Sequence, residues 1–159
     1  MKLYVMRHAF AGDALDDPKA ERERPLKPEG VAVAKAVAAQ LASDDEIPSV
    51  IFCSPLARTT QTADIIGKAL GVQVNIIGDL APNRPLAPTI LELMFSSDIK
   101  RFMIVVHVDN STPAFQDLGG DWDDLCMAEC RKLKIDRDTG EWKILWSLKP
   151  SDLGLKDYK

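Results

Sequence analysis

The sequence predicts an α/β protein of three layers, α/β/α: a mostly parallel central sheet between helices, with an antiparallel hairpin at its C-terminal end. Three observations carry this reading. Strand-like apolar runs alternate four times with helical segments along residues 2–118. Two of those runs, SVIFC at 49–53 and RFMIVV at 101–106, are apolar nearly throughout, as strands buried on both faces are. Finally, KLKID and EWKILW flank RDTG, a turn sequence that joins them as a hairpin. Parallel strands alternating with helices and closed by a hairpin give a sheet covered on both faces, with the hairpin at or near an edge.

The elements follow in order from period and punctuation. KLYVMR, 2–7, is a strand. Residues 9–26 are polar, charged and proline-containing and read as a long loop. A helix opens at Lys27-Pro28-Glu29-Gly30, with Pro28 in its first turn, and runs to about Ser43. After the strand at 49–53, Ser54 reads as the cap and Pro55 as the first residue of a helix ending near Gly71. A short strand follows at 72–77, then a loop, GDLAPNRPLAP, and a short helix at 88–97. The strand at 101–106 ends at His107, and 110–118 forms a weak helix. Trp142 and Trp146 share a strand face by their spacing and read as core packing beneath a helix.

Composition narrows the function classes. The chain of 159 residues is 46% hydrophobic, enough for one domain over 1–159 with a substantial core. A net charge of −4 gives no broad basic face for nucleic acid. No apolar run approaches the ~20 residues of a membrane span, and the N-terminus lacks the charged, apolar and cleavage regions of a signal peptide. Three cysteines, Cys53, Cys126 and Cys130, lack a framework spacing and read as reduced thiols, so a cytoplasmic setting is expected. With two histidines in the chain, a zinc quartet is not expected.

Chemistry gathers at strand ends. In an open parallel sheet, ligands bind beyond the carboxyl ends of the strands. Arg7 and His8 end the first strand, His107 ends the strand at 101–106, and Arg58 lies in the first turn of the helix after IFC. Two guanidiniums suit a dianionic oxyanion, which they bind through paired planar hydrogen bonds. A helix N-terminus beside Ser54 adds backbone donors. A neutral histidine is a competent nucleophile toward phosphorus, and nearby cations keep it neutral. A second histidine stabilises charge on the transferring group. Arginine and histidine supply the positive field, so neither a metal nor another cofactor is required. Taken singly, either histidine also reads as a polar strand end and Arg58 as a solvated helix residue.

The motifs resemble a known family. LYVMRHAFAG resembles the opening Arg-His-Gly motif of the histidine phosphatase superfamily, also called phosphoglycerate-mutase-like. FCSPLARTTQTADII is similar to its second signature, Ser-Pro-x-x-Arg-x-x-Gln-Thr-Ala. ERPLKPEG resembles the Arg-Pro-Leu-x-x-x-Gly stretch of small bacterial members, and MIVVHV stands where the second histidine falls. These matches cover roughly residues 2–112, and the closing hairpin with SLKPSDL resembles the end of the SixA-type phosphohistidine phosphatases. The resemblance implies that His8 is the phosphorylated nucleophile, that Arg7 and Arg58 clamp the phosphate, and that His107 completes the catalytic, phosphate-binding pocket. It implies a metal-independent phosphatase acting on a phosphorylated protein, through phosphohistidine, with a small phosphorylated metabolite as the alternative substrate. A non-catalytic phosphate-binding member is the third reading.

Two positions depart from the pattern: Ala9 follows His8 and Val106 precedes His107, where glycine is usual. VDNST likewise replaces the more usual residues after the second histidine. The general acid is expected at Asp79, in IIGDLAPNR, with Asp109 as a second candidate and a loop cap or solvated residue as the alternative for Asp79. A phosphoramidate departs readily once its nitrogen is protonated and demands less of a positioned acid. Loop 11–24, with Arg22 and Arg24, reads as a solvated connector that could also cover the site. GGDWDDLC, 119–126, reads as an acidic flexible loop with an exposed tryptophan, or as a partner contact.

Overall fold

The computed structural model describes residues 1–95 and 98–159. Its elements are β1 (Lys2–Arg7), α1 (Pro18–Glu23), α2 (Pro28–Ser43), β2 (Ile51–Cys53), α3 (Ala57–Leu70), β3 (Val74–Ile76), α4 (Leu86–Phe95), β4 (Arg101–Val106), α5 (Val108–Asp117), β5 (Cys130–Ile135) and β6 (Trp142–Leu148). The described strands form one sheet in the order β3-β2-β4-β1-β5-β6. β1 to β4 are parallel, and β5 and β6 are the antiparallel hairpin at one edge.

Strand alternation divides the core in two. Tyr4, Met6, Ile51, Cys53, Met103 and Val105 face the layer of α2 and α3. Leu3, Val5, Phe102, Ile104 and Val106 face the other layer, with α4 and α5. The three-layer α/β/α class is therefore the observed one. The helix expected at 88–97 starts two residues earlier, and the final positions of that expectation, 96–97, lie outside the described residues. Among the described residues, no helix is long and apolar enough to cross a membrane.

Four local readings are corrected. The expected loop at 9–26 contains α1, because Asp17 caps it by accepting from the Ala20 amide and Pro18 starts it. Ser54 does not cap α3 in the usual way: Leu56 is the N-cap, and the Ser54 hydroxyl turns toward other side chains. Trp122 is buried, not exposed, stacked on Phe115 with ring centroids 4.2 Å apart. Trp142 and Trp146 face opposite layers. Between Lys132↔Trp146 and Leu133↔Ile144 the ladder takes up one extra residue, Leu145, and a bulge of one residue inverts the faces that follow it.

Candidate active site

The connectivity makes a crevice at one place. β1 leaves the sheet toward α2 on one face, while its neighbour β4 leaves toward α5 on the other. Adjacent strands that part to opposite faces open the usual ligand site of an α/β sheet. Arg7 and His8 stand at the end of β1, His107 is the N-cap of α5 directly after β4, and Arg58 lies in the first turn of α3. All four side chains are buried.

Backbone and hydroxyl bonds join these segments. The His8 amide donates to Val106 O at 3.2 Å. The Ala9 amide donates to Thr62 Oγ1 at 3.0 Å, and the Thr62 hydroxyl donates to Arg58 O at 2.7 Å. Neither Ala9 nor Val106 has a positive φ, so alanine and valine fit where the family pattern has glycine. Val106 is in the β1–β4 ladder opposite Arg7.

The two imidazole rings lie 5.3 Å apart between centroids, tilted by 56°. His8 Nδ1 is 2.8 Å from Ala9 O. A carbonyl oxygen only accepts, so Nδ1 carries the hydrogen and Nε2 keeps the lone pair of the neutral ring. Burial lowers the His8 pKa most; the Ala9 bond opposes that, and the charges of Arg58, Arg7 and Arg24 reinforce it, bringing His8 down to about 3. His107 is lowered too, by burial and then by His8, Arg58 and Arg7. The electrostatics thus favour a neutral His8 at ordinary pH.

His107 is held through a hydroxyl pair. Its Nε2 lies 2.8 Å from Ser54 Oγ, which lies 2.6 Å from Thr59 Oγ1. The Thr59 hydroxyl reaches Leu56 O at 2.8 Å and Ser54 O at 3.0 Å. Carbonyls only accept, so the Thr59 hydrogen goes to one of them. Ser54 then donates to Thr59 and accepts from His107 Nε2–H. The tautomer of His107 is set by this chain.

The guanidiniums are only partly satisfied. Arg7 donates from Nη1 to Leu125 O at 2.7 Å. Arg58 Nη1 donates to Glu21 O at 3.1 Å and lies 3.2 Å from Glu21 Oε1. Nε of both arginines is buried without a hydrogen-bond partner. Buried charged donors left unpaired are costly, and an oxyanion between them would satisfy them.

Glu21 and Arg24 correct the reading of loop 11–24 as a solvated connector. Arg24 binds Glu21 through Nε at 2.7 Å and Nη2 at 2.8 Å, and Gly12 O through Nη1 at 2.6 Å. Its side chain is only 10% exposed. The Arg24 bonds above all hold the Glu21 carboxyl down at about 2. Arg24 thus adds a third positive charge beside His8. Its one sequence signal is its place in the Arg-Pro-Leu stretch.

The two candidate acids differ in their surroundings. Asp109, exposed in the first turn of α5, acts electrostatically on both Arg7 and Arg58. Asp79 is exposed in the 3-10 turn Gly78–Leu80 and makes no side-chain hydrogen bond or ion pair among the described residues. Among the described residues, no group of three or more His, Cys, Asp and Glu is arranged to hold a metal ion.

Comparison with known proteins finds a family match over the first half of the chain and shared folds over nearly all of it. The family model of the histidine phosphatase superfamily (branch 1) matches residues 3–81. A curated, uncharacterized protein of Picosynechococcus sp. is 37% identical over 87 residues, 54% of this chain and 52% of its own length. The match therefore spans about half of that relative. Among solved structures, the protein histidine phosphatase SixA complexed with tungstate superposes with a TM-score of 0.82 at 19% identity, over 96% of this chain and 99% of its own. A putative phosphohistidine phosphatase SixA from Agrobacterium tumefaciens gives 0.80 at 22% identity, over 94% and 97%. A mycobacterial glucosyl-3-phosphoglycerate phosphatase complexed with VO3 gives 0.69 at 16%, over 91% and 97%. At these identities the superpositions establish the shared fold.

Proposed function

We propose that this chain, a member of the histidine phosphatase superfamily, is a phosphatase that transfers a phosphoryl group to His8 and then to water, with phosphohistidine on a protein as its substrate. One observation carries the reading: a neutral His8 with its Nε2 lone pair free stands among buried guanidiniums that lack partners for their Nε–H groups. Arg7 and Arg58 bind the phosphoryl oxygens, and Arg24 adds charge behind them. Nε2 of His8 attacks phosphorus; the bond to the leaving nitrogen or oxygen breaks with its electron pair, and that atom takes a proton. Water then attacks the phosphohistidine, releasing phosphate and restoring the His8 lone pair. His107 has Nε2–H committed to Ser54 and offers Nδ1 to the transferring group, as a donor once the dianion's charge has protonated the ring. The guanidiniums supply the positive field that a metal supplies in other phosphoryl-transfer sites.

Of the two candidate acids, Asp109 is the one placed near the phosphate-binding arginines, on both of which its charge acts; Asp79 has no such link. A phosphoramidate needs this proton least, since its nitrogen is basic. The SixA-like superpositions over nearly the whole chain support phosphohistidine as substrate. The glucosyl-3-phosphoglycerate phosphatase among the neighbours supports a small phosphomonoester as the second reading.

The test compares wild type and His8→Ala on a phosphohistidine protein and on p-nitrophenyl phosphate. The reading expects wild type to turn over the phosphohistidine protein with the higher kcat/KM, and His8→Ala to turn over neither. Undiminished turnover in His8→Ala overturns the nucleophile. A higher kcat/KM on the ester favours the small-molecule reading.

A further inference from the structure

A groove of about 580 Å³ opens from Arg7 along the edge of the site, between the 121–126 loop and the C-terminal tail. Its walls include Asp123, Asp124, Cys126, Lys149, Asp157 and Lys159. A phosphoryl group fills a small part of such a space; the rest is sized for the group that carries it. Arg7 links the two regions, being buried, part of the groove wall, and short of a partner at Nε.

The carboxylates beside Arg7 are held in place. Trp122 is buried against Phe115, with the Arg131 guanidinium 4.7 Å from its ring centroid. Arg131 Nη1 binds Asp123 Oδ1 at 2.7 Å, and the Thr112 hydroxyl binds Asp124 Oδ1 at 2.7 Å. Asp124 Oδ2 has no hydrogen-bond or ion-pair partner among the described residues, whereas the Asp123 carboxyl, 81% exposed, is held by Arg131 and its own backbone amide and feels the charge of Lys149. The Asp124 charge acts on Arg7. Glu129, also in the wall, is paired with Arg131 at 2.7 Å and is not available. A second anionic group entering beside Arg7 would meet Asp123 and Asp124, whereas a cation there would be attracted.

We infer that this groove receives the polypeptide segment that carries the phosphorylated residue, and that Asp124, the aspartate there without a cationic partner, selects segments with lysine or arginine beside it. The inference rests on the phosphatase reading and deepens it by naming the substrate's charge. Lys149 and Lys159 line the same groove, and the Lys149 charge acts on both Asp123 and Asp157, so the attraction for cations centres on Asp124.

The test uses two phosphohistidine peptides of equal length, one flanked by lysines and one by glutamates, with p-nitrophenyl phosphate as a reference lacking a peptide. Wild type is expected to prefer the lysine peptide by about tenfold in kcat/KM at low salt, and by less at high salt. Asp124→Lys abolishes or inverts the preference; because the Asp124 charge also acts on Arg7, each peptide's kcat/KM is read as a ratio to the same variant's ester kcat/KM. Asp124→Asn, which can still accept from Thr112, reduces the preference and serves if the lysine variant does not fold. Binding of the same fluorescein-labelled peptides to His8→Ala protein, read by anisotropy, examines the groove without chemistry. Equal binding and equal kcat/KM for both peptides overturn the inference, as does an unchanged preference in both Asp124 variants. Absence of turnover in wild type overturns the phosphatase reading, while the binding preference still decides the groove.

Discussion

Removing the Ser54 hydroxyl probes how His107 is positioned. Ser54 is fully buried, and its Oγ has three neighbours: His107 Nε2 at 2.8 Å, Thr59 Oγ1 at 2.6 Å and the Leu56 amide at 3.4 Å. Ser54→Ala keeps the backbone and Cβ, so the loss is confined to one oxygen. His107 is 1% exposed, and its Nε2–H is left without a partner. An unpaired buried donor costs about 1–3 kcal/mol, which for a domain of this size lowers Tm by roughly 3–9 °C. The ring also loses what fixes its tautomer. If 1.4–2.7 kcal/mol of that loss falls on the transition state, kcat drops by about tenfold to a hundredfold. Steady-state kinetics on p-nitrophenyl phosphate, with thermal unfolding in parallel, measures both effects. Thr59→Val removes the hydroxyl that takes the Ser54 hydrogen while leaving Ser54 beside His107, and is expected to lower kcat by less than Ser54→Ala does. A Ser54→Ala protein with the expected fall in Tm but kcat within twofold of wild type would refute the positioning role.

Two further outcomes follow from the same geometry. His8 and His107 both have pKa values lowered by burial and neighbouring cations, so below about pH 6.5 the unfolded chain binds protons that the folded chain does not. Stability is therefore present above that pH and is lost as pH falls: about 2.5 kcal/mol between pH 7 and 5.5 from the two rings together. Urea unfolding at the two pH values measures this, and the double variant His8→Gln/His107→Gln should lose most of the difference. Gly30 lies where an added Cβ would sit 2.1 Å from Phe10 O, on the segment leaving His8. Gly30→Ala should cost about 2 kcal/mol net of its helix propensity, or roughly 5 °C in Tm; an unchanged Tm would mean that the start of α2 does not press on that segment.

How much of the fold could be read from the sequence depended on the range of the interaction involved. β1 and β4 match the expected 2–7 and 101–106 because continuous apolar runs between turn signals mark buried strands locally. α2 matches because Pro28 marks its start. The site was legible as four residue positions at strand ends and a helix start, which the topology then brings to one crevice. What escaped depends on contacts distant in sequence. Ser54 followed by proline reads as a helix cap, yet its partner is His107, 53 residues on. Glu21 and Arg24 look like solvated charges until Arg58, 37 residues beyond Glu21, meets the Glu21 that Arg24 holds. The opposite facing of Trp142 and Trp146 turns on a bulge at Leu145 that no residue there announces. α1 did carry a local signal, the Asp17-Pro18 pair, within a charged stretch otherwise typical of a loop.

The phosphoryl group's residence on His8 is the claim on which the account depends. Wild type mixed with a phosphohistidine protein, quenched in base within milliseconds and analysed as proteolytic fragments by mass spectrometry, reads it directly. The account predicts phosphate on the fragment containing His8, stable in alkali and lost in acid, rising and decaying with turnover, and absent from His8→Ala. Wild-type turnover with no phosphate on His8 at any time, together with undiminished turnover in His8→Ala, would contradict it.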